Sequence, residues 1–254
     1  MFIDSHAHIQ LDQFDADREA VLERAQEAGV HAILVIGFDI ETSRGAITLA
    51  EKYNQIYATV GMHPHDAKDL DDETVCMFRD LAVHPKVVAL GEMGLDYYRD
   101  LSPRPIQKAA FERQLDLAEE LDLPIVIHNR DAYHDILPIL QARRDRVRGV
   151  MHCFSGDVEI MRQNLALGFH IGIGGPVTYR KSDALQKVAQ KVPVDALLVE
   201  TDCPWLAPQF RRGKRNEPAY VRATAEKIAE LRSISLEEIG EITTQNFENL
   251  FLAS

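Results

Sequence analysis

The chain has 254 residues, of which 46% are hydrophobic and 27% charged, and its formal net charge is −12 at pH 7. No run approaches the roughly 18 consecutive apolar residues of a membrane span, and an acidic surface repels polyanions, which excludes non-specific coating of duplex DNA but not a local basic patch. The three cysteines lack C-x-x-C spacing and no basic segment precedes an apolar one near the N-terminus, so we expect reduced thiols, no secretory signal and a cytoplasmic location.

Short β-branched segments alternate along the chain with longer segments of helical periodicity. We predict strands at Met1–Ser5, Ala32–Gly37, Tyr57–Gly61, Val87–Gly91, Ile125–His128, Gly149–His152, His170–Ile173 and Ala196–Glu200. We predict helices at Asp17–Ala28, Glu41–Lys52, Asp72–Val83, Ile106–Leu121, Ala132–Arg143, Val158–Leu167 and Ser182–Lys191, with two last helices at about Pro218–Leu231 and Ser235–Leu252. Ser235 and Glu238 form a predicted capping box. Eight strand segments separated by helices predict an α/β fold, a TIM-type (β/α)8 barrel with additional C-terminal helices, as a single domain over residues 1–254.

The first strand leads into two histidines, His6 and His8, that are spaced two residues apart. Side chains with this spacing point to the same side of a strand, so both imidazoles aim at one point, with Asp4 one step deeper. A carboxylate often supports a ligating imidazole by accepting its second N–H. The spacing predicts a metal-binding pair, but a zinc-type site needs three or four ligands, and the alternative is two surface histidines near a terminus.

Ionisable side chains follow six of the eight predicted strands, at the end where barrel enzymes carry their catalytic groups. Burying so many polar groups without partners would be costly, which favours one shared site over separate structural roles. The predicted metal ligands are His6, His8, Glu92, His128, His152 and Asp202.

Four imidazoles and two carboxylates suit two metal ions, because a four-coordinate metal with an open position takes three protein ligands. The first and last strands are neighbours in a closed barrel, so His6, His8 and Asp202 would hold one ion. His128 and His152, from adjacent strands, would hold the other, and Glu92 would bridge the two ions. The nitrogen ligands favour a transition metal over an all-oxygen Mg site, yet Mg could still support activity, so Mg, Mn and Zn all stay open.

Several segments together resemble the signature segments of a known family. They are Asp4–His8, Gly61–Pro64, Gly91–Asp96, His128–Ala132, His152–Gly156, Glu200–Asp202 and Arg212–Pro218. In this order and at this chain length, the set is similar to the TatD metal-dependent deoxyribonucleases, within the amidohydrolase-like TIM barrels. The resemblance implies a divalent-metal phosphodiesterase of DNA, often a 3′-to-5′ exonuclease on single-stranded or 3′-tailed DNA, with the same six ligands. Glu92 stands where amide-cleaving relatives often carry a carbamylated lysine, Asn129 stands where the family often has Ser or Thr, and Phe210–Arg211 precede the basic segment.

The expected mechanism is an in-line displacement by a metal-activated water. Asp202 is the predicted acceptor of the water's proton, while Glu92 is the predicted bridge. His63 and His65 are predicted to contact the scissile phosphate or to donate to the leaving oxygen, and the alternative for both is a polar loop stiffened by proline. Glu200 lies two residues before Asp202 and is either a support or proton relay for it or a structural acid.

A phosphate substrate needs positive donors, and four cations lie within residues 211–215, in the loop after the last predicted strand. Arg212, Lys214 and Arg215 there, with Arg130 just after His128, are the predicted phosphate contacts, and the alternative is a solvated charged face. Aromatic side chains just past strand ends could stack unpaired bases, although loop packing would explain each one alone: Tyr97, Tyr98, Phe154 and Trp205.

Two other functions fit the same residues. One is a related binuclear hydrolase of small phosphoesters, esters or amides, which differs in whether the cationic loop lines the site. The other is an inactive metal-binding scaffold, which a metal-free but intact fold would support. As partners we predict DNA, or RNA, as the substrate, with no membrane and no obligate protein partner.

Overall fold

The computed structural model describes residues 1–253, in which each strand is followed by a helix. The strands are β1 Phe2–Ala7, β2 Val30–Ile36, β3 Ile56–Val60, β4 Val87–Asp96, β5 Ile125–Arg130, β6 Gly149–Met151, β7 Phe169–Ile173 and β8 Leu197–Val199. The helices are α1 Arg18–Glu27, α2 Ile40–Lys52, α3 Asp72–Ala82, α4 Arg104–Leu121, α5 Tyr133–Gln141, α6 Val158–Ala166, α7 Asp183–Lys191, α8 Val221–Arg232 and α9 Leu236–Phe247. Within these residues, no helix combines the length and the apolar composition needed to cross a membrane.

The strands lie in one sheet in chain order, from β1 to β8. Neighbouring pairs are parallel, as between β4 and β5 and between β7 and β8. Ala7, at the end of β1, also pairs in parallel with Cys203, just after β8. Consecutive parallel strands with intervening helices, and a first strand that meets the last, define a (β/α)8 barrel, which confirms the predicted fold class. The predicted C-terminal helices are α8 and α9.

Contacts between residues divide the chain into two compact units. Unit 1 contains Met1–Val35, Cys153–Arg162 and the chain from His170 onward, and unit 2 contains Ile36–His152 and Gln163–Phe169. The prediction of one domain stays a prediction.

Unit 1 has its core where β1 and β8 pack against α9. Phe2, Ile239 and Phe247 are buried there. A Cβ on Gly240 would lie 2.4 Å from the carbonyl oxygen of Met1, so α9 can approach β1 this closely only with glycine at that position. At the start of α9, the side chain of Ser235 accepts a hydrogen bond from the N–H of Glu238, as its predicted capping role requires.

Unit 2 has its core around β3, β4 and β5, which α4 covers with the buried side chains of Phe111 and Leu115. β4 is longer than predicted, because it continues past Gly91 to Asp96. The glycines that suggested a strand end instead allow close approach: Gly94 has φ of 141°, and a Cβ there would lie 2.0 Å from the carbonyl oxygen of His128 in β5. Glu92 therefore lies within a strand and not after one.

The last predicted helix, Ser235–Leu252, is also divided differently. The α-helix ends at Phe247, and a π-helical segment follows over Glu248–Leu252. The wider turn keeps Leu250 and Phe251 buried, so the apolar pattern continues past the end of the α-helix.

Candidate active site

In unit 1, the predicted ligands His6, His8 and Asp202 come together, and we call them the His6 cluster. The Nε2 atoms of His6 and His8 lie 3.0 Å apart. Oδ1 of Asp202 lies 3.7 Å from Nε2 of His6 and 3.5 Å from Nε2 of His8. Both imidazoles are almost fully buried, and 13% of the Asp202 side chain is exposed. The two-residue spacing of His6 and His8 therefore does aim both rings at one point.

Backbone hydrogen bonds across the β1–β8 seam hold this cluster. The N–H of Asp202 donates to the carbonyl of His6 at 2.9 Å, and the N–H of His8 donates to the carbonyl of Cys203 at 2.8 Å. Asp202 has φ of 56°, a left-handed conformation that Asp and Asn adopt more readily than other non-glycine residues. This turn after β8 points the Asp202 carboxylate toward the two histidines.

Asp4 also connects the two sides of the β1–β8 seam. Its carboxylate accepts hydrogen bonds from the N–H and the hydroxyl of Thr201, at 2.8 and 2.5 Å, and from the N–H of His6 at 3.4 Å. Complete burial raises the pKa of Asp4 to about 8, against the lowering effect of those hydrogen bonds. Asp4 therefore joins the backbones on both sides of the seam, at His6 itself and at Thr201, the residue before Asp202.

Glu200 also lies beside this seam, fully buried at the end of β8. Its Oε1 accepts a hydrogen bond of 2.6 Å from the N–H of Cys153. This bond fixes the start of the segment after β6, which fits the structural and supporting alternatives for Glu200 equally.

In unit 2, three imidazoles surround Glu92, and we call His63, Glu92, His128 and His152 the Glu92 cluster. Oε1 of Glu92 lies 2.9 Å from Nδ1 of His128, 3.2 Å from Nε2 of His152 and 3.6 Å from Nε2 of His63. The ligand atoms of His63, Glu92 and His128 all lie within 4.8 Å of one another. The last three predicted ligands are thus together, and His63, predicted as a phosphate contact, joins them.

Neighbouring backbones place these side chains. The N–H of Glu92 donates to the carbonyl of Gly37 at 2.8 Å, and the N–H of His63 donates to that of Phe38 at 2.9 Å. The N–H of His152 donates to the carbonyl of Ile127 at 3.1 Å, so His152 extends the β5–β6 pairing by one step. Glu92 and His128 therefore lie on strands, His152 directly follows β6, and His63 lies three residues after β3.

Asp96 is a functional candidate that sequence reasoning did not single out. Its Oδ2 lies 3.1 Å from Nε2 of His128 and 2.9 Å from Nε2 of His65, and its Oδ1 accepts from the N–H of Arg99. Burial opposes its charge, but hydrogen bonds from His128, His65 and Arg99 hold the pKa of Asp96 well below its usual range. Asp96 lies four residues after Glu92, on the same side of β4, so period-two spacing would have identified it had the strand been extended past Gly91.

The pKa values of His63 and His128 are shifted in opposite directions. Burial lowers the pKa of His63 well below its ordinary value, and the neighbouring His128 adds to that effect. Burial also opposes the charged form of His128, yet its hydrogen bonds with Asp96 and Glu92 raise its pKa. A neutral imidazole is the form that binds a metal, so His63 is already in that form at neutral pH.

Both clusters fit divalent metal ions. In the His6 cluster the imidazole nitrogens and the carboxylate oxygen lie 3.0 to 3.7 Å from one another, and in the Glu92 cluster each imidazole has a nitrogen 2.9 to 3.6 Å from the carboxylate oxygen, distances that suit ligands sharing one ion at the about 2.0–2.2 Å of a zinc-type bond. Mixed nitrogen and oxygen ligands suit Zn and Mn. The predicted bridging role of Glu92 stays a prediction.

The predicted substrate contacts occupy varied surroundings. The guanidinium of Arg130 lies 5.0 Å from the ring centre of Tyr98, and that of Arg212 lies 4.6 Å from the ring centre of Tyr179. Both arginines are exposed, as is Lys214. The roles predicted for Arg130, Arg212, Lys214 and His65 in substrate binding stay predictions.

Arg215 is engaged within the protein. Its two terminal nitrogens donate to the two carboxylate oxygens of Asp17, at 2.8 and 2.7 Å, and one also donates to the carbonyl of Gln13. Arg24 of α1 makes a similar fork to Glu217, at 2.9 and 2.7 Å. These pairs line a cleft of about 690 Å³ in unit 1 whose described lining residues do not include His6, His8 or Asp202. One cation of the charge run, Arg215, is therefore already paired within the protein, and together with the Arg24–Glu217 pair it joins the α1 region to the loop.

Comparisons with known proteins identify the family. A family model described as TatD related DNase matches residues 3–252. The chain is 48% identical over 252 residues to a metal-dependent hydrolase, YabD, of Bacillus subtilis, covering 99% of both chains. It is 38% identical over 251 residues to the 3′-5′ ssDNA/RNA exonuclease TatD of Cronobacter sakazakii, covering 96% of this chain and 95% of that one.

Solved structures extend the comparison to the fold. The crystal structure of YjjV, a TatD homologue from Escherichia coli, matches with a TM-score of 0.94 and 32% identity, covering 100% of this chain and 98% of that one. A dihydroorotase structure at 16% identity has a TM-score of 0.67 and shares the fold alone.

Proposed function

Since this chain belongs to the TatD-related DNase family of metal-dependent hydrolases, we propose that it is a phosphodiesterase that removes nucleotides from the 3′ end of single-stranded or 3′-tailed DNA, and of RNA. One observation carries the proposal: two clusters of buried imidazoles and carboxylates, each compact enough for one divalent ion. The exonuclease name of a relative at 38% identity supports the substrate class.

Two divalent ions per chain, Mg, Mn or Zn, would be held by the two clusters. His6, His8 and Asp202 would bind one, and Glu92, His128 and His152 would bind the other. When bound, such ions supply Lewis acidity toward phosphoryl oxygens and lower the pKa of water.

The protein's own side chains have distinct roles in this proposal. The partly exposed carboxylate of Asp202 accepts the proton of the attacking water. His63 donates a hydrogen bond to the leaving oxygen, or to the scissile phosphate, and His65, held by Asp96, orients the same phosphate. Exposed cations, among them Arg130, Arg212 and Lys214, bind the flanking phosphates.

A time course of cleavage tests the proposal. Single-stranded, 3′-tailed and blunt DNA, and single-stranded RNA, would be incubated with the protein in Mg²⁺, Mn²⁺, Zn²⁺ or EDTA. We expect nucleotides to be released from the 3′ end of unpaired substrates with metal and none with EDTA.

The matched variants are Glu92→Ala and Glu226→Ala, the second removing a surface carboxylate that pairs with Arg222. Glu92→Ala should abolish release, and Glu226→Ala should leave it unchanged. Equal cleavage by wild type and Glu92→Ala would refute the nuclease proposal. Hydrolysis of a small phosphodiester with no attack on any nucleic acid would favour the related small-substrate hydrolase.

A further inference from the structure

The loop after Asp202 carries the only tryptophan of the chain, Trp205. Its ring meets that of His8 edge on, with centroids 5.1 Å apart and an angle of 64° between the planes. Yet 44% of Trp205 is exposed. A large aromatic side chain therefore lies against a ligand of the His6 cluster and still presents much of its surface to solvent.

This exposure does not come from a loose loop tip. The N–H of Trp205 donates to the carbonyl of Asp202 at 3.0 Å, and its own carbonyl accepts from Nδ2 of Asn216 at 2.7 Å. Asn216 is fully buried and also donates to the carbonyl of Thr201. On the other side, a Cβ on Gly175 would lie only 2.4 Å from the carbonyl oxygen of Leu206, so the loop packs closely there. The backbone of Trp205 is fixed on both sides, so a ligand would lose little free energy in ordering it.

The surroundings of Trp205 indicate what the exposed ring binds. Arg211 and Arg212 lie in the same loop and are exposed, Arg211 against Tyr220 and Arg212 over the ring of Tyr179, so the loop carries cations as well as an aromatic surface. A small ester or amide would use neither feature. A nucleotide uses both, because its base has a flat π face and its phosphate is negative.

On the premise of the proposed nuclease function, we propose that Trp205 stacks on the base of the nucleotide whose phosphate lies at the His6 cluster. A base within a duplex is already stacked on both faces, so this contact selects an unpaired end. Stacking tolerates any base because each has a π face, so the site selects the presence of a base and not its identity. Trp205 is therefore a substrate-binding residue that makes the site specific for unpaired strands and not for a particular base sequence.

Fluorescence of the single tryptophan tests this contact without turnover. The Mn²⁺-loaded protein would be titrated with a short oligothymidylate whose 3′ linkages are phosphorothioates, and with an abasic tetrahydrofuran oligomer of equal length and charge. We expect the oligothymidylate to quench Trp205, and the abasic oligomer, which offers phosphates without bases, to leave its emission unchanged. Binding of dye-labelled forms of both oligomers would be followed in parallel by anisotropy.

Variants separate stacking from general loop effects. Trp205→Leu keeps an apolar side chain but removes the aromatic face, and should weaken oligothymidylate binding about tenfold or more while leaving abasic binding within about twofold. Trp205→Phe should recover most of the affinity. Phe210→Leu is the matched control, since Phe210 is 64% exposed in the same loop but packs on Tyr220, and it should change neither affinity.

The outcomes distinguish the two proposals. Oligothymidylate that binds by anisotropy, with equal affinity for wild type and Trp205→Leu and with no quenching, would overturn stacking and leave the nuclease proposal standing. Absence of any binding, together with no cleavage of unmodified DNA or RNA, would overturn both. Thermal unfolding of each variant within a few degrees of wild type would show that any loss of binding is not a loss of fold.

Discussion

Asp202 combines a demanding backbone conformation with a reactive position. Its φ of 56° lies in the left-handed region, where Asn is as well tolerated as Asp. Its carboxylate faces two buried imidazoles. Substitution by Asn therefore removes the charge, and with it the proposed proton acceptor, without disturbing the turn.

We expect Asp202→Asn to fold normally and to lose at least about 100-fold in turnover, because general base catalysis contributes about 10²–10⁴. The measurement is 3′-end release from single-stranded DNA together with metal content per chain. Asp145→Asn is the control, since Asp145 has φ of 64° and is 91% exposed, and it should keep full activity. Full turnover and full metal content in Asp202→Asn would contradict the role of Asp202.

The ion pair of Asp17 and Arg215 makes a prediction about acid stability. The hydrogen bonds from Arg215 lower the pKa of Asp17, outweighing the effect of its slight burial. Because the folded-state pKa is below the about 3.9 of an unfolded Asp, the stabilisation is complete above that value and is lost as the pH falls through the folded-state pKa.

Asp17→Asn should therefore lower the free energy of unfolding by about 1 kcal/mol at pH 7, a value discounted for the partial exposure of the pair. In urea titrations at decreasing pH, the difference from wild type should shrink below about pH 4. Asp12→Asn, at an exposed position in the preceding turn, should differ from wild type by less than about 0.5 kcal/mol at any pH. A difference for Asp17→Asn that grew on acidification would contradict the assignment.

Among the elements, β4 departs most from its sequence signal and bears most on the site. Two glycines within it resemble the end of a strand, but their positive φ values let β4 approach β5 while continuing to Asp96. Glu92 lies between these glycines and Asp96 follows them, so both carboxylates near His128 depend on this conformation.

Gly94→Ala should lower the free energy of unfolding by at least about 3 kcal/mol, since the added methyl group meets a backbone carbonyl as well as an unfavourable φ. Gly168→Ala is the matched control, because Gly168 has φ of 84° with no atom within 4 Å of an added Cβ. Gly168→Ala should lower the free energy of unfolding by only about 1 kcal/mol, which is the cost of the unfavourable backbone conformation alone. Equal losses for both variants in urea unfolding would show that close approach to His128 is not the reason for glycine at 94.

The remaining differences between the predicted and observed structure share one cause, which is that local sequence does not show long-range pairing. Local apolar periodicity predicts the positions of helices and strands well, as with α2 and α7, because a helix buries one face and a strand buries one face or both. It cannot show which distant groups pair. Arg215 and Asp17 are 198 residues apart in the sequence. The charge run in the loop therefore predicts a phosphate site, although one of its cations, Arg215, is paired with Asp17.

Taken as one molecule, the protein has buried imidazoles and carboxylates that are costly without a ligand. An ion that binds only the folded state at about 100 times its dissociation constant adds about 2.7 kcal/mol of stability. For a chain of this size, 1 kcal/mol corresponds to about 2–4 °C in Tm.

Two such ions add about twice that stability, so removal of metal with EDTA should lower Tm by roughly 10–20 °C, and Mn²⁺ should restore it. The shift should be smaller in His6→Ala, which lacks one ligand of the His6 cluster. It should be unchanged in His134→Ala, whose side chain is 68% exposed and outside both clusters. A wild-type Tm that is identical in EDTA and Mn²⁺ by calorimetry would contradict metal binding at the clusters.

The fold and most of the site were predictable at this scale for one reason. A (β/α)8 barrel collects the carboxyl ends of its strands, so polar residues after apolar runs, such as His6 and Asp202, identify its functional end. Two features of the site could not be predicted because they depend on side-chain direction and three-dimensional pairing. The ring of His63 faces Glu92, and the carboxylate of Asp96 contacts His128.

The seam between β1 and β8 also has a consequence for biosynthesis. The His6 cluster needs Asp202, and the pairing of Ala7 with Cys203 holds it in place. At about 5–20 residues per second, roughly 10 to 40 s of translation separate the first histidine from the carboxylate that completes its cluster. Nascent or prematurely terminated chains that lack Asp202 therefore carry the histidines without the carboxylate that completes the His6 cluster.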